Sequence, residues 1–281
     1  MSDKIADKTL LHSIFDHAEQ AKESLFAQTK IRPEYAIVLG SGIQIFEDLE
    51  QMEVVPFSQI EGFPQASVKG HKGEVTLGYY KGKAIAIFRG RLHRYEGHPW
   101  RHVVFPITLM HAMGVKKIIM TNSAGGLDYY LTPGDLVLVR DHIYFYSPDQ
   151  EERSALYQQA GARQMFSYST EMLGAATEAA KSAEVNLRHG TYLGLLGPTY
   201  ETPQEILMFR DMQATVVGMS TVPEALWAHA LGMEVMAVSC VTNVTHEVTA
   251  LASTSHEEVV EVAQEASLRL ERLLKSLLPR I

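Results

Sequence analysis

The sequence lacks the features that mark secreted, membrane-spanning and nucleic-acid-binding proteins. Among its 281 residues Cys240 is the only cysteine, so no intrachain disulfide can form, which fits a reducing compartment. No apolar run reaches the roughly 18 residues of a membrane-spanning helix, and the charged N-terminal stretch does not resemble a signal peptide. The net charge of −8 argues against a nucleic-acid partner, whose phosphates require a basic surface. We therefore expect a cytoplasmic protein with no membrane or nucleic-acid partner.

Several common catalytic signatures are missing as well. The sequence contains no GxSxG elbow, no HExxH motif and no cysteine in a glycine-rich setting. Its 12 histidines include no close pair with metal-ligand spacing. These absences favour chemistry by positioning and electrostatics on a bound anion, without a covalent intermediate, a metal or a cofactor.

What is present indicates an α/β protein. The chain is 46% hydrophobic and 21% charged, which is typical of a globular protein with a substantial core. No Pro/Gly/Ser-rich linker interrupts it, so we expect one domain over residues 1–281, with an N-terminal helical segment over 1–30. Predicted strands alternate with predicted helices. The strands are Tyr35–Leu39, Glu74–Tyr80, Ala84–Phe88, Lys117–Thr121, Leu136–Asp141, Gly190–Leu196, Thr215–Val217 and Glu234–Val241. The helices are Lys8–Gln28, Trp100–Met113, Glu171–Glu184, Pro203–Asp211, Ala225–Leu231 and Ser255–Leu278. The stretch Tyr144–Ser169 is predicted to be a long surface loop.

The segment Gly197–Glu224 contains two strand-to-helix junctions close together in the chain. The first presents Tyr200 and Glu201 before a helix that begins at a Thr-Pro pair, and the second presents Met219 and Ser220 before another helix. In α/β sheets, ligands bind at such junctions beyond the carboxyl ends of the strands. Two ordinary loops are the alternative interpretation.

Two further strands run into small or glycine residues. The first is followed by Gly40-Ser41-Gly42, and the predicted strand ending at Thr121 is followed by Asn122, Ser123, Ala124 and two glycines. A glycine turn lets backbone N–H groups approach an anion without obstruction by side chains. A tight turn without any ligand is the alternative for the first motif, and the second junction of the same kind adds support for an anion site. The strand Glu234–Val241 likewise runs into Thr242 and Asn243.

Basic and aromatic residues alternate after the predicted hairpin. In an extended segment Arg91, His93 and Tyr95 would point to one side, where the arginine fork and the imidazole could bind an oxyanion. A solvated polar edge strand is the alternative. His71 lies between glycines in a predicted loop. His256 falls at the start of the last helix, within a Ser-His-Glu-Glu capping box, where the helix dipole disfavours a charged imidazolium.

Taken in order, these motifs resemble those of the purine nucleoside phosphorylases, in the trimeric branch of that family. The shared motifs are GSG, GHKG, GRLHRYEG, TNSAGGL, GDLVLVRDHI, GPTYET, VVGMSTVPE and VTN followed by HEEV. The match runs from about Tyr35 to the C-terminus. The resemblance implies a single α/β domain with a mixed, partly barrel-like β-sheet flanked by helices, and a homotrimer with sites near the subunit interfaces. The implied reaction is reversible phosphorolysis of purine ribo- and deoxyribonucleosides such as inosine and guanosine, in purine salvage. Inorganic phosphate is the implied co-substrate.

The resemblance also implies a role for each matching residue. The phosphate site would comprise Ser41, His71, Arg91, His93, Asn122, the backbone of Ser123, and Ser220. The ribose contacts would be Tyr95, Met219 and His256, with His256 on the 5′-hydroxyl. The base site would comprise Tyr200, Glu201, Thr242 and Asn243. The catalytic residues among these would be His93, Glu201, Asn243 and His256.

Three departures from the family pattern concern the ligand-binding loops. Gln44 replaces a glycine that is usual in the first loop, and Ser123 stands where alanine is common. The stretch Tyr144–Ser169 lacks the usual segment that lends an aromatic side chain to the neighbouring subunit's ribose. Phe166 is the residue that we expect in its place.

Two other functions fit parts of the pattern. Methylthioadenosine phosphorylases resemble this family, but they tend to carry aspartate at the position of Asn243 and a smaller residue at that of His256. Both residues present here favour 6-oxopurine nucleosides. A binding module without catalytic activity would have no use for Arg91, His93 and Asn243 together, and all three are present.

Overall fold

The computed structural model describes residues 2–65, 72–160, 166–244 and 256–281, with side chains from residue 11 onward and, in the last segment, from residue 259 onward. The strands are β1 (Tyr35–Val38), β2 (Glu50–Pro56), β3 (Glu74–Tyr80), β4 (Lys83–Arg89), β5 (Lys117–Gly126), β6 (Leu136–Tyr144), β7 (Leu187–Gly194), β8 (Val216–Gly218) and β9 (Glu234–Val244). The α-helices are α1 (Ser2–Phe26), α2 (Trp100–Val103), α3 (Phe105–Ala112), α4 (Gln150–Ala160), α5 (Thr170–Ser182), α6 (Pro203–Asp211), α7 (Val222–Ala230) and α8 (His256–Leu277).

The strands form one mixed sheet that closes on itself at one end. Its order is β2-β3-β4-β1-β5-β8-β7-β6-β9, and β9 also pairs with β5. The last five strands in that order therefore form a small barrel, with β5 shared between the barrel and the open part of the sheet. β1 is parallel to β4 and β5, and β5 is parallel to β9, whereas β8 is antiparallel to β5. This architecture confirms the predicted fold class, a mixed and partly barrel-like sheet.

Helices cover both faces of the sheet because successive strand residues point to opposite sides. Along β1, Ala36 and Val38 pack into one core cluster, and Tyr35 and Ile37 pack into the other. The first cluster includes buried residues of α1, α3 and α7, and the second includes those of α5 and α8. Within the described residues, no helix is both long and apolar enough to cross a membrane.

Most predicted elements are present, with shifted ends. The hairpin of β3 and β4 and the helix α6 fall where the sequence placed them, whereas α1 begins at Ser2 instead of Lys8. β5 was predicted to end at Thr121 but continues to Gly126, because its pairing with β9 and β8 extends along the glycines. The single predicted helix Trp100–Met113 is divided at Val104, close to Pro106, which removes a backbone donor. β2 was not predicted.

The prediction of a surface loop over Tyr144–Ser169 was wrong for its central part, which forms α4. This helix has little apolar periodicity, since Glu152 and Ala155 are its buried residues. Polar contacts hold it instead. Arg101 Nη1 donates to Glu151 Oε2 at 2.9 Å, and the Tyr144 hydroxyl donates to Glu152 Oε1 at 2.6 Å. Hydrophobic patterning cannot reveal a helix that is anchored by hydrogen bonds to distant parts of the chain.

Burial of Glu152 predicts a specific pH dependence of stability. Its side chain is fully buried, and burial raises the pKa of its carboxyl to about 7. The unfolded chain releases this proton near the ordinary pKa of 4.5, whereas the folded protein holds it until about pH 7. Stability should therefore fall as the pH rises from about 4.5 to 7. Glutamine does not titrate, so the stability of the Glu152→Gln variant lacks this pH dependence. Its free energy of unfolding should rise relative to that of the wild type by up to about 3 kcal/mol over that interval.

Urea unfolding of both proteins at several pH values between 4 and 8 measures this difference. The informative quantity is the change in the variant-minus-wild-type free energy of unfolding, since other titrating groups are common to both chains. A difference that stays constant across the interval would show that Glu152 does not carry the proton.

Candidate active site

One cavity lies beyond the carboxyl ends of β1 and β8 and along the last residues of β5 and β9. Most predicted site residues line it, namely Ser41, Arg91, His93, Tyr95, Asn122, Ser123, Tyr200, Glu201, Met219, Ser220, Thr242 and Asn243. His71 and the side chain of His256 lie outside the described part of the chain. Phe166 is not among the lining residues of this cavity. It packs within its own chain, with ring centroids 4.6 Å from His142 and 4.8 Å from Tyr168, so its role at a neighbouring site stays a prediction.

The first glycine turn packs directly against β5. A Cβ atom at Gly40 would lie 2.7 Å from the Cα atom of Asn122, so a larger residue does not fit there. Ser123 Oγ donates to the backbone carbonyl oxygen of Ser41 at 2.8 Å. Ser123, a residue that departs from the family pattern, thus uses its hydroxyl to link the two segments that we predicted to bind phosphate. Gln44 does not line the cavity, and its backbone N–H donates to Ser267 Oγ at 3.0 Å.

Arg91 is the buried cation of the cavity, with 1% of its surface exposed. Its Nη1 donates to Ser220 Oγ at 2.9 Å, and its Nε lies 3.7 Å from Glu224 Oε1. Among the described residues, neither Nε nor Nη2 has a hydrogen-bond partner. Because buried polar groups normally have partners, a cavity lined by such donors favours an anionic ligand.

His93 is oriented by Glu96, which the sequence analysis did not single out. Glu96 Oε1 lies 2.8 Å from both the backbone N and the ring Nδ1 of His93, and this carboxylate favours a proton on Nδ1. The His93 ring stacks on Tyr95 with centroids 4.7 Å apart. The His-x-x-Glu spacing, which closes a capping box here, was the available sequence signal. Tyr95 lies in the short 3₁₀ helix Arg94–Glu96, so the predicted alternation of an extended strand does not hold there.

The phenol of Tyr95 is neutral at neutral pH, and its surroundings raise its pKa further. Its pKa is raised to about 12, chiefly by burial and then by the nearby carboxylate of Glu96. A neutral phenol can both donate and accept a hydrogen bond. Tyr95 is therefore suited to a hydroxyl-bearing part of a ligand.

A β-bulge places two consecutive residues of β9 on the cavity wall. Ala124 pairs with Val241 and Gly125 pairs with Asn243, so Thr242 is the extra residue. Consecutive residues of a regular strand point to opposite faces, but a bulge re-aims the side chains beside it. Both Thr242 and Asn243 line the cavity as a result. A bulge of one residue cannot be recognised from the hydrophobic pattern around it, and we did not predict this bulge.

The bulge also orients the Asn243 amide. Thr242 Oγ1 lies 3.1 Å from Asn243 Oδ1, within hydrogen-bonding distance. Since the hydroxyl donates and the amide oxygen accepts, the amide nitrogen Nδ2 is left to donate. Glu201 lies in the same cavity and is 9% exposed, and burial raises the pKa of its carboxyl. A donor amide and a carboxylate together suit a flat heterocycle with complementary ring atoms.

Two further residues support the cavity from behind. Thr221 is fully buried, and its hydroxyl contacts Asn122 and Ser220. Glu224 accepts from the backbone N of Thr221 at 3.0 Å, in a Thr-Val-Pro-Glu capping box that is readable in the sequence. We predicted a helix start after Ser220 but neither identified this box nor assigned it to the site.

The fold is that of an α/β protein, and the cavity has groups suited to an anion and, beside it, to a polar ring. Comparison with known proteins agrees with this class. The family model described as "Phosphorylase superfamily" matches residues 34–279. A curated relative, purine nucleoside phosphorylase 1 of Geobacillus stearothermophilus, is 34% identical over 92% of this chain and 95% of its own.

Solved structures give the same result. The structure of Schistosoma mansoni purine nucleoside phosphorylase in complex with inosine has a TM-score of 0.82 and 30% identity, over 95% of this chain and 96% of that one. A second Schistosoma mansoni structure, in complex with adenosine, has a TM-score of 0.81 and 30% identity, over 93% and 96% of the two chains. The chain therefore belongs to the phosphorylase superfamily and, within it, to the purine nucleoside phosphorylases. The resemblance seen in the motifs is confirmed.

Proposed function

We propose that this protein cleaves 6-oxopurine nucleosides such as inosine and guanosine by reversible phosphorolysis, in the cavity described above. The products are the free purine and α-ribose 1-phosphate or its 2-deoxy analogue. One observation supports this assignment above others. A buried arginine with unpaired donors and an oriented donor amide line the same cavity. The first group suits inorganic phosphate as co-substrate, and the second suits the departing purine.

The proposed phosphate site combines the first glycine turn with Arg91 and Ser220. Arg91 supplies a permanent charge and two donors, and its contact with Ser220 Oγ brings a hydroxyl beside it. Ser41, Asn122 and the backbone of Ser123 lie on the same wall, and His93 completes this group. His71 stays a predicted member of the phosphate site.

The proposed chemistry needs charge stabilisation at both ends of the breaking bond. As the glycosidic bond stretches, positive charge develops on the sugar and negative charge on the purine. The phosphate anion is both the nucleophile and the counter-charge for the sugar. Asn243 Nδ2 would donate to N7 of the purine and stabilise its developing negative charge, while Glu201 would accept from N1–H. Burial raises the pKa of Glu201, and a donor on the bound base would favour its charged form.

The proposed sugar contacts are Tyr95 and Met219, with His256 on the 5′-hydroxyl. Tyr95 supplies a neutral phenol that can both donate to and accept from a ribose hydroxyl. Tyr200 flanks the base site and remains 44% exposed, so it lies at the cavity rim.

Two alternatives are less well supported. A 6-aminopurine phosphorylase would gain from a group that accepts at the position of Asn243, whereas the contact with Thr242 favours a donor there. A binding module without catalysis could use Arg91 to hold an anion, but it would not need a donor amide placed to stabilise charge on a departing purine. The adenosine complex of the Schistosoma mansoni relative indicates that adenosine fits a site of this fold. We therefore expect the protein to discriminate inosine from adenosine in turnover and not in binding alone.

We also propose that the protein is a homotrimer with its sites near the interfaces. The support comes from α6, which follows the rim residues Tyr200 and Glu201. Ile206 and Phe209 of this helix are buried, but Leu207, Met208 and the following Met212 are 40–46% exposed. Neighbouring exposed apolar side chains of this size are typical of a surface covered by a partner.

The first prediction concerns phosphate. Release of hypoxanthine from inosine should require phosphate or arsenate, which a coupled assay in phosphate-free buffer measures. The Arg91→Ala variant should raise the phosphate KM and lower turnover by roughly ten- to hundredfold, because each charge-assisted hydrogen bond contributes about 1.5–3 kcal/mol. Arg89→Ala is the matched control, since Arg89 is also buried but bonds Thr76 and Glu47 outside the cavity. Equal release of base without phosphate would identify a hydrolase.

The second prediction concerns the base. In the orientation that Thr242 favours, the amide nitrogen of Asn243 suits N7 together with a 6-oxo acceptor, whereas the 6-amino group of adenine would place a donor against a donor. One buried group is then left unpaired at a cost of about 1–3 kcal/mol, or on the order of 10- to 100-fold in kcat/KM. The wild type should therefore favour inosine over adenosine, and Asn243→Asp should gain adenosine activity because a carboxylate accepts from the amino group. Comparable kcat/KM for the two nucleosides in the wild type would show that Asn243 does not read the base.

The third prediction concerns assembly. Sedimentation of the wild type should give a mass near three chains. Replacement of Leu207 and Met208 by glutamate should reduce the mass and the activity together, because charges on a covered apolar surface oppose association. Leu268→Glu is the matched control, on the outer face of α8, where the leucine is 72% exposed. A fully active monomer at dilute concentration would contradict both the trimer and the shared site.

A further inference from the structure

Thr221 lies directly behind the proposed phosphate site without lining the cavity. Its side chain is fully buried, and its hydroxyl oxygen is within reach of three lining residues. Asn122 Nδ2 donates to Thr221 Oγ1 at 3.0 Å, and Arg91 Nη1 donates to it at 3.4 Å. The Ser220 hydroxyl is 3.1 Å away. A threonine hydroxyl offers one donor and two acceptor positions, which is enough for these three contacts.

The backbone of Thr221 has an unusual conformation for its residue type. Its φ of 70° and ψ of −50° lie in a region that β-branched residues rarely adopt. Two contacts oppose relaxation of this conformation. The backbone N of Thr221 donates to Glu224 Oε2 at 3.0 Å, and its carbonyl oxygen accepts from the N of Ala225 at 2.8 Å. A strained residue persists when its surroundings over-determine it, and such residues concentrate at functional sites.

We propose that Thr221 is a positioning residue for phosphate, acting through Arg91, Asn122 and Ser220. These side chains come from three separate parts of the chain: the segment after β4, the strand β5 and the junction before α7. The Thr221 hydroxyl is the atom that contacts all three. It therefore fixes their positions relative to one another before phosphate binds. This inference rests on the phosphate site proposed above.

The role belongs to the hydroxyl and not to the shape of the side chain. Valine has the same branching and nearly the same volume as threonine, but it can neither donate nor accept a hydrogen bond. Thr221→Val would leave Asn122 Nδ2 without its bond to Thr221 and leave Arg91 Nη1 with the Ser220 hydroxyl as its remaining partner of the two. Both side chains would gain freedom on the wall that faces phosphate, so phosphate affinity should fall more than nucleoside affinity.

Steady-state kinetics with inosine and phosphate, together with phosphate-induced thermal shifts, test this role. Thr221→Val should raise the phosphate KM about tenfold, with a smaller change in the inosine KM, and should weaken the thermal shift caused by phosphate. Thr221→Ser keeps the hydroxyl and should remain within about twofold of wild type. Thr76→Val is the matched control, because Thr76 is also a buried threonine that accepts a hydrogen bond from a buried arginine, Arg89. It should lower stability without changing the phosphate KM.

Several outcomes would overturn the proposal. One is a phosphate KM in Thr221→Val that equals that of the wild type. Another is a rise in the phosphate KM of Thr221→Ser as large as that of Thr221→Val. If the valine variant does not fold, Thr221→Ala takes its place. Failure of both to fold, while Thr221→Ser and Thr76→Val fold normally, would mean that Thr221 serves the fold and not phosphate.

The thermal shift separates this inference from the proposed reaction. If the wild type bound phosphate but cleaved no nucleoside, the proposed function would fail, and the comparison of phosphate-induced shifts would still decide the role of Thr221. If phosphate caused no shift in the wild type, the anion site and this inference would fall together.

Discussion

The pairing of β5 with β9 is the constraint on which the cavity depends. It closes the barrel, and β5 at the same time pairs with β1 and β8. The ends of these strands are thereby brought to one place, although they are far apart in the chain. The register has a single irregularity, at Thr242, and that irregularity turns Thr242 and Asn243 together toward the cavity. A regular pairing would keep the barrel but would lose one of the two residues from the cavity wall.

The buried cluster around Arg91 carries the main energetic cost of the cavity. A charge removed from water is costly unless it is paired and hydrogen-bonded. Glu224 and Ser220 meet part of this need, at 3.7 Å from Nε and 2.9 Å from Nη1. Glu224 also accepts from the strained backbone of Thr221. One carboxylate thus compensates the cation and stabilises the turn that holds its neighbours, so the electrostatics and the backbone geometry of this wall depend on each other.

The sequence was sufficient for the family, the fold class and most of the lining residues. Strands such as β3 and β4 were readable because apolar runs and a Lys-Gly-Lys turn mark them. The helix α4 was not readable from the sequence, because buried polar contacts of Glu152 hold it in place. Its apolar residues therefore show no helical periodicity. The bulge at Thr242 and the strain at Thr221 depend on pairing between distant segments, which local pattern does not contain. Glu96 and Glu224 were visible as capping boxes, but their contacts with His93 and Arg91 appear only when the chain is folded.

One strand connects the two ends of the cavity and sets their separation. Asn122 and Ser123 of β5 lie at the proposed phosphate site, and Gly125 pairs with Asn243 at the proposed base site. Three residues of extended strand span about 10 Å, and the pairing with β9 keeps this part of β5 extended. A ligand that engages both ends must therefore place its ring at a set distance from the anion, with a spacer of fixed length between them. A Cβ at Gly125 would lie 3.4 Å from Asn243 Nδ2, so the strand and the amide are in close proximity. The amide that we propose to read the base is thus held by the same strand that carries part of the phosphate site, and this is why a pentose linking the two suits the cavity.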